Sequence, residues 1–108
     1  MTTQERLANN LTAIKEVAPH FAELTNDVLF GDIWERPGLS KRDRSLITVA
    51  VLSANYRTDQ LRGHIRTALE NGVTKEEIGE VITHIAFYAG WPSAGNAALV
   101  AKQVLDEG

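Results

Sequence analysis

The side chains that could do chemistry here are three histidines, two tyrosines, two tryptophans and a scatter of arginines, with no cysteine among them. The missing thiol removes disulfides, thiolate nucleophiles, redox dithiols and cysteine-ligated metals at once. His64 follows Gln60 by one helical turn and Arg57 by two, with Leu61 three before it and Ala68 four after. That spacing sets the imidazole on the border between an apolar face and two polar groups. There it is either a boundary histidine hydrogen-bonded to its neighbours, the commoner arrangement, or a general acid or base. His84 stands one turn before Tyr88 on an otherwise apolar stretch, so imidazole and phenol come within reach of one another. The same alternatives apply: a partly buried, satisfied core histidine, or a pair that polarises an oxygen and passes a proton. His20, straight after Pro19, is expected to face solvent. No two histidines are spaced HxxxH, and Glu80 with His84 makes at most half a site, so no metal is expected.

The arginines add a second kind of chemistry. Arg36, Arg42 and Arg44 flank the segment Gly31–Ser40, with Trp34 two residues before Arg36. A guanidinium beside a buried helix can hold a carboxylate through two parallel hydrogen bonds. Arg42 reads as a solvated surface residue. Arg44, which enters the apolar stretch beginning at Leu46, is either a structural ion-pair partner of Asp32 or Asp43 or a carboxylate-binding residue. There is no glycine-rich phosphate loop and no nucleophile elbow, and a net charge of −3 leaves no basic footprint for nucleic acid.

The elements that must carry these residues are helical. Leu7, Leu11, Ile14 and Val17 recur at helical spacing over Gln4–Val17. Pro19 suits a helix start, and a second helix is expected over Pro19–Leu29, burying Phe21, Leu24 and Val28. Gly31–Ser40 is a connector with a Pro37-Gly38 turn, and Ser40 can cap the next helix. That helix, Lys41–Ala54, turns apolar on nearly all sides from Leu46, which predicts a central, fully buried rod. Thr58 is the expected cap of a helix burying Leu61, Ile65, Ala68 and Leu69, ended by Gly72 at a left-handed position. Thr74 and Glu77 form a capping box before a helix carrying Ile78, Val81, Ile82, Ile85 and Ala86, which Gly90 closes. Pro92 and Ser93 open a last helix whose inner positions are Ala94, Ala97, Ala98, Ala101, Val104 and Leu105. No stretch alternates with period two, so the class is all-α, a bundle of about six helices in one domain over residues 1–108. The apolar run Leu46–Leu52 is far short of the roughly 20 residues that span a bilayer. The polar start Met-Thr-Thr-Gln-Glu-Arg lacks the apolar stretch of a secretion signal, so a cytoplasmic location is expected.

Four strings together carry a resemblance. They are Phe30-Gly-Asp-Ile-Trp-Glu-Arg-Pro-Gly-Leu-Ser-Lys-Arg-Asp-Arg-Ser-Leu-Ile-Thr-Val-Ala50, Arg57-Thr-Asp-Gln-Leu-Arg-Gly-His64, Ala68-Leu-Glu-Asn-Gly-Val-Thr-Lys-Glu-Glu-Ile78 and His84-Ile-Ala-Phe-Tyr-Ala-Gly-Trp-Pro92. In this order they resemble the carboxymuconolactone decarboxylase family of the alkylhydroperoxidase-like superfamily, from about Leu29 to Leu105. The resemblance implies an all-helical fold assembled into homo-oligomers, commonly trimers or hexamers. The superfamily's peroxidase branch places a Cys-x-x-Cys motif before its histidine; here those positions are Arg57 and Gln60, so thiol peroxidase activity is excluded. The other branch decarboxylates 4-carboxymuconolactone in aromatic catabolism without a cofactor. On that resemblance Arg44, with Arg36, would bind substrate carboxylate, and His64 would act as general acid or base. His84 and Tyr88 would polarise the lactone oxygen or deliver the proton, and Trp34 or Trp91 would wall the site from water. One fold hosts many reactions, so two alternatives stay open: a different small-molecule reaction, such as isomerisation or lactone hydrolysis, and a non-catalytic oligomeric binding protein.

Overall fold

The computed structural model describes residues 3–107; Met1 and Thr2, at the polar start of the chain, lie outside the description. Among the described residues every regular element is helical. The chain falls into two compact units, Met1–Lys41 and Arg42–Gly108.

In the first unit α1 (Thr3–Val17) packs along α2 (Pro19–Leu24), which opens on Pro19 as the missing proline N–H allows. The α-helical part of the second segment is shorter than the expected Pro19–Leu29. It gives way at Thr25 to a wider π-helical turn, Thr25–Phe30, followed by a 3-10 turn over Ile33–Glu35. The Thr25 hydroxyl donates to the Phe21 carbonyl at 2.8 Å, a back-bond that loosens helices where it forms. Gly31 ends the turn with its backbone pressed close, since a Cβ there would sit 2.6 Å from the Asp27 carbonyl oxygen. The expected burial does not occur in the single chain. Leu7, Val17, Phe21, Leu24 and Val28 are exposed, Leu11 and Ile14 are half-buried, and Ala22 alone is buried among the described residues of this unit.

The second unit holds α3 from Arg42 onward (helix Lys41–Ala54), α4 (Thr58–Glu70), α5 (Lys75–Ala89) and α6 (Trp91–Asp106). Its core joins Val49 of α3, Leu61, Ile65 and Ala68 of α4, Val73 and Ile78 around the start of α5, and Ala97, Val100, Ala101 and Val104 of α6. The small side chains of α6 let it pack against both α4 and α5. A satellite cluster of Ile85, Ala86 and Ala94 continues the core toward the α5–α6 junction. Two expectations need correction. α3 is not buried all round: only the stripe Ser45, Val49, Ser53 is buried, while Ile47 and Val51 are exposed. Ala98 likewise points outward on α6. Apolar residues on every side of a helix tell that it can be buried, and in a single chain one side of α3 is left uncovered.

The turns follow local chemistry closely. After α4 the chain makes a full Schellman closure: Val73 N–H donates to Ala68 O at 2.9 Å and Gly72 N–H to Leu69 O at 3.2 Å, with Gly72 at φ 96°. The capping box forms as expected, Glu77 N–H donating to the Thr74 hydroxyl at 3.1 Å and Thr74 N–H to the Glu77 carboxylate at 2.9 Å. Gly90, at φ 102°, ends α5 and starts α6. Thr58 is not a cap. Arg57 occupies that position with no side-chain bond, because α3 ends in its own Schellman closure, Arg57 N–H donating to Leu52 O at 3.0 Å. That closure holds Tyr56 at φ 58°, in the left-handed region.

Candidate active site

α4 carries His64 on its half-buried flank, between the buried Leu61 and Ile65. Its Nδ1 is shielded from solvent. Burial strips water from the charged form and holds the imidazole below its ordinary value of 6.5, so the ring is neutral near pH 7. A neutral imidazole can accept a proton or donate one hydrogen bond; it is not a resident imidazolium. On α3, Arg44 is half-buried beside the buried Ser45, with its Nε out of solvent. Of the two acids named above as its ion-pair candidates, Asp32 lies 3.6 Å from Arg36 and Asp43 lies 3.6 Å from Arg42.

The structure brings one predicted pair together. The rings of His84 and Tyr88 lie 5.0 Å apart, tilted by 37°. Both face solvent, which overturns the reading of His84 as a partly buried core histidine. Period-3.6 spacing puts His84 opposite the inward-facing Ile85 and Ala86 side of α5, and no element of the chain covers that outer side. Among the described residues no hydrogen bond or ion pair ties this pair to Arg44 or His64. Trp91 opens α6 and is exposed, packed edge-on against Phe87 with ring centres 5.2 Å apart. Phe87 was missed by the sequence reading; its signal is the same four-residue step that links His84 to Tyr88. Trp34 and Arg36 belong to the first unit. There Trp34 is half-buried with its ring 6.5 Å from Phe30, and Arg36 is exposed. His20 is exposed as expected, 3.5 Å from Glu23.

Two further features were not legible. Arg42 is not a solvated surface residue: it bonds the Glu77 carboxylate, so that one side chain both caps α5 and anchors α3. Three serines are buried. Ser45 accepts from Asn71 Nδ2 at 3.0 Å, Ser93 donates to the Ala54 carbonyl at 3.4 Å, and Ser53 Oγ has no hydrogen-bond partner among the described residues. Among those residues no three His, Asp or Glu side chains gather in a way that could hold a metal ion. No helix is long and apolar enough to cross a membrane.

Comparison with known proteins adds to this geometry. The profile of the Carboxymuconolactone decarboxylase family matches residues 19–103. A 4-carboxymuconolactone decarboxylase from Acinetobacter baylyi is 36% identical over 104 residues, covering 96% of this chain and 78% of that protein. A nitrosuccinic acid decarboxylase from Metarhizium robertsii is 36% identical over 85 residues, covering 79% of this chain and 59% of that protein. An uncharacterized 15.0 kDa protein from Paracoccus denitrificans is 29% identical over 100 residues, covering 91% of this chain and 75% of that protein.

Proposed function

The chain belongs to the carboxymuconolactone decarboxylase family, and from that premise we propose that it is a cofactor-free decarboxylase of a small carboxylated lactone, of the kind met in the breakdown of aromatic compounds. The observation that carries this reading is 36% identity to a 4-carboxymuconolactone decarboxylase along 96% of the chain. The name of the second decarboxylase fits the same chemistry. A lactone carbonyl and a nitro group are both electron sinks, and each can take the electron pair that a departing carboxylate leaves behind.

In such a reaction the bond between the ring carbon and its carboxylate breaks and CO₂ leaves. The electron pair enters the conjugated lactone as a dienolate, and a proton then returns to carbon. The protein has to favour the charge distribution of the transition state over that of the substrate. A cation clamped on the departing carboxylate would stabilise the reactant most, so Arg44 is assigned to an acid group that the substrate keeps. Arg36 is assigned to the same task from the first unit. His64, neutral through burial, handles the proton. His84 and Tyr88 face the carbonyl that becomes the dienolate, as hydrogen-bond donors. Trp34 and Trp91 serve as walls, since loss of CO₂ is faster from a carboxylate out of water. The working protein is a homo-oligomer, a trimer or hexamer, acting in the cytoplasm on a small-molecule acid.

The test is a CO₂-release assay with 4-carboxymuconolactone, comparing wild type with His64→Ala and using nitrosuccinate as a second substrate. Release by the wild type that falls by about 10²–10⁴ in the variant supports the reaction and the role of His64. Release untouched by the substitution keeps the reaction and removes His64 from it.

A further inference from the structure

Although Asp, Glu, Lys and Arg make up 23% of the chain, none occurs from Val81 to Ala101. That run is only partly core. His84, Phe87, Tyr88 and Trp91 follow one another at steps of three, one and three, the spacing of a single helical stripe, and all four are exposed. Phe87 is 73% exposed, Tyr88 82%, Trp91 66%, and Leu99, two turns along α6, 67%. Gly95 and Ala98, also exposed, lie between Trp91 and Leu99 on the same side of α6, where their small size would let another backbone come close. A fully covered aromatic side chain buries roughly 150–250 Å², so the three aromatics at these exposures offer about 450 Å². That alone matches the largest apolar patch of an ordinary monomer, roughly 300–600 Å². It is also more than half of the roughly 800 Å² that each partner contributes to a stable interface.

We infer that a second copy of this chain docks on the uncharged outer face of α5 and α6 and closes the His84–Tyr88 pair off from water, so that the site is complete only in the assembled protein. The occupant follows from charge. A face without any formal charge is complementary to itself, and meeting its own copy strands no buried ion. The link to function rests on the decarboxylase reading above: a dienolate needs donors in a dry environment, and a phenol 82% exposed is in water. The second copy supplies the missing cover.

The test uses the full chain and two readouts that need no substrate. Sedimentation velocity compares wild type with Phe87→Glu and, separately, Leu99→Glu; both residues are exposed, so far-UV circular dichroism should show unchanged helicity. Nitration by tetranitromethane, mapped by mass spectrometry, follows Tyr88 with Tyr56 as the internal control. The wild type is expected to sediment as a multimer with Tyr88 protected and Tyr56 modified. The glutamate variants are expected to be folded monomers in which Tyr88 is nitrated and turnover is about tenfold lower or worse. A monomeric wild type across the micromolar range, glutamate variants that stay assembled, or an assembled wild type with Tyr88 freely nitrated would each overturn the inference. An assembled, Tyr88-protected wild type that releases no CO₂ would count against the decarboxylase reading alone and leave the docking surface supported.

Discussion

The first unit and the second have similar apolar patterning and opposite fates for it. Leu61, Ile65 and Ile78 of the second unit are sealed in a shared core, while Phe21, Leu24 and Val28 of the first are exposed. Both sets recur at helical spacing in the sequence. Periodicity specifies that a face is apolar; a neighbouring helix has to exist in the same chain before the face is buried. Four helices packed through the small side chains of α6 provide that neighbour in the second unit. The first unit has α1, a short α2 and a π turn, and buries only Ala22 among its described residues.

The sharpest way to break this contrast is Leu61→Ala against Leu24→Ala in the isolated chain at low concentration. Leu61→Ala should cost about 2–5 kcal/mol in urea denaturation, since a sealed core cannot collapse around the void. Leu24→Ala should stay within roughly 0.5 kcal/mol. Equal costs would show the first unit to be as well covered as the second. Next in size is Gly31→Ala, which sets a Cβ against the Asp27 carbonyl. It should speed amide exchange through Thr25–Phe30 and leave exchange in α4 and α6 unchanged. Exchange slowed throughout the chain would contradict the close approach.

Glu77→Ala probes the second unit's local order. It removes half of the capping box together with the bond to Arg42, and a loss of about 1–2 kcal/mol is expected. His64 adds a pH dependence confined to that unit. Its pKa is lower in the folded chain than the ordinary 6.5, so below that pH the unfolded chain binds more protons than the folded one. The stability tied to neutral His64 is fully present above pH 6.5 and is lost as pH falls through the folded value. His64→Gln should flatten that part of the urea-stability profile between pH 7.5 and 5.5, and an identical slope in the variant would remove burial as the cause. The smallest effect is expected at Ser53, whose buried hydroxyl has no partner among the described residues. Ser53→Ala should leave stability unchanged or raise it by up to about 1 kcal/mol.

What was legible in the sequence was local. The Thr74–Glu77 capping box, the left-handed Gly72 and the break at Gly90 each depend on residues within a few positions of one another, and all three formed. The all-α class followed from period alone. What depended on partners far along the chain was not legible. Arg42 lies 35 residues from Glu77 and Ser45 lies 26 from Asn71, and nothing in their spacing announces those bonds. The candidate site divides in the same way. The His84–Tyr88 contact is an i, i+4 step and was readable, whereas its exposure to solvent was not. Burial of His64 was readable only as a border position, because the depth of a helix flank is set by what packs on it.

The central claim is that this chain removes CO₂ from a small carboxylated lactone with His64 handling the proton. Its most direct test is CO₂ release from 4-carboxymuconolactone by folded, assembled wild type, with His64→Ala beside it. Catalysed release that drops by about 10²–10⁴ in the variant is the predicted result. No release from the assembled wild type would contradict the account.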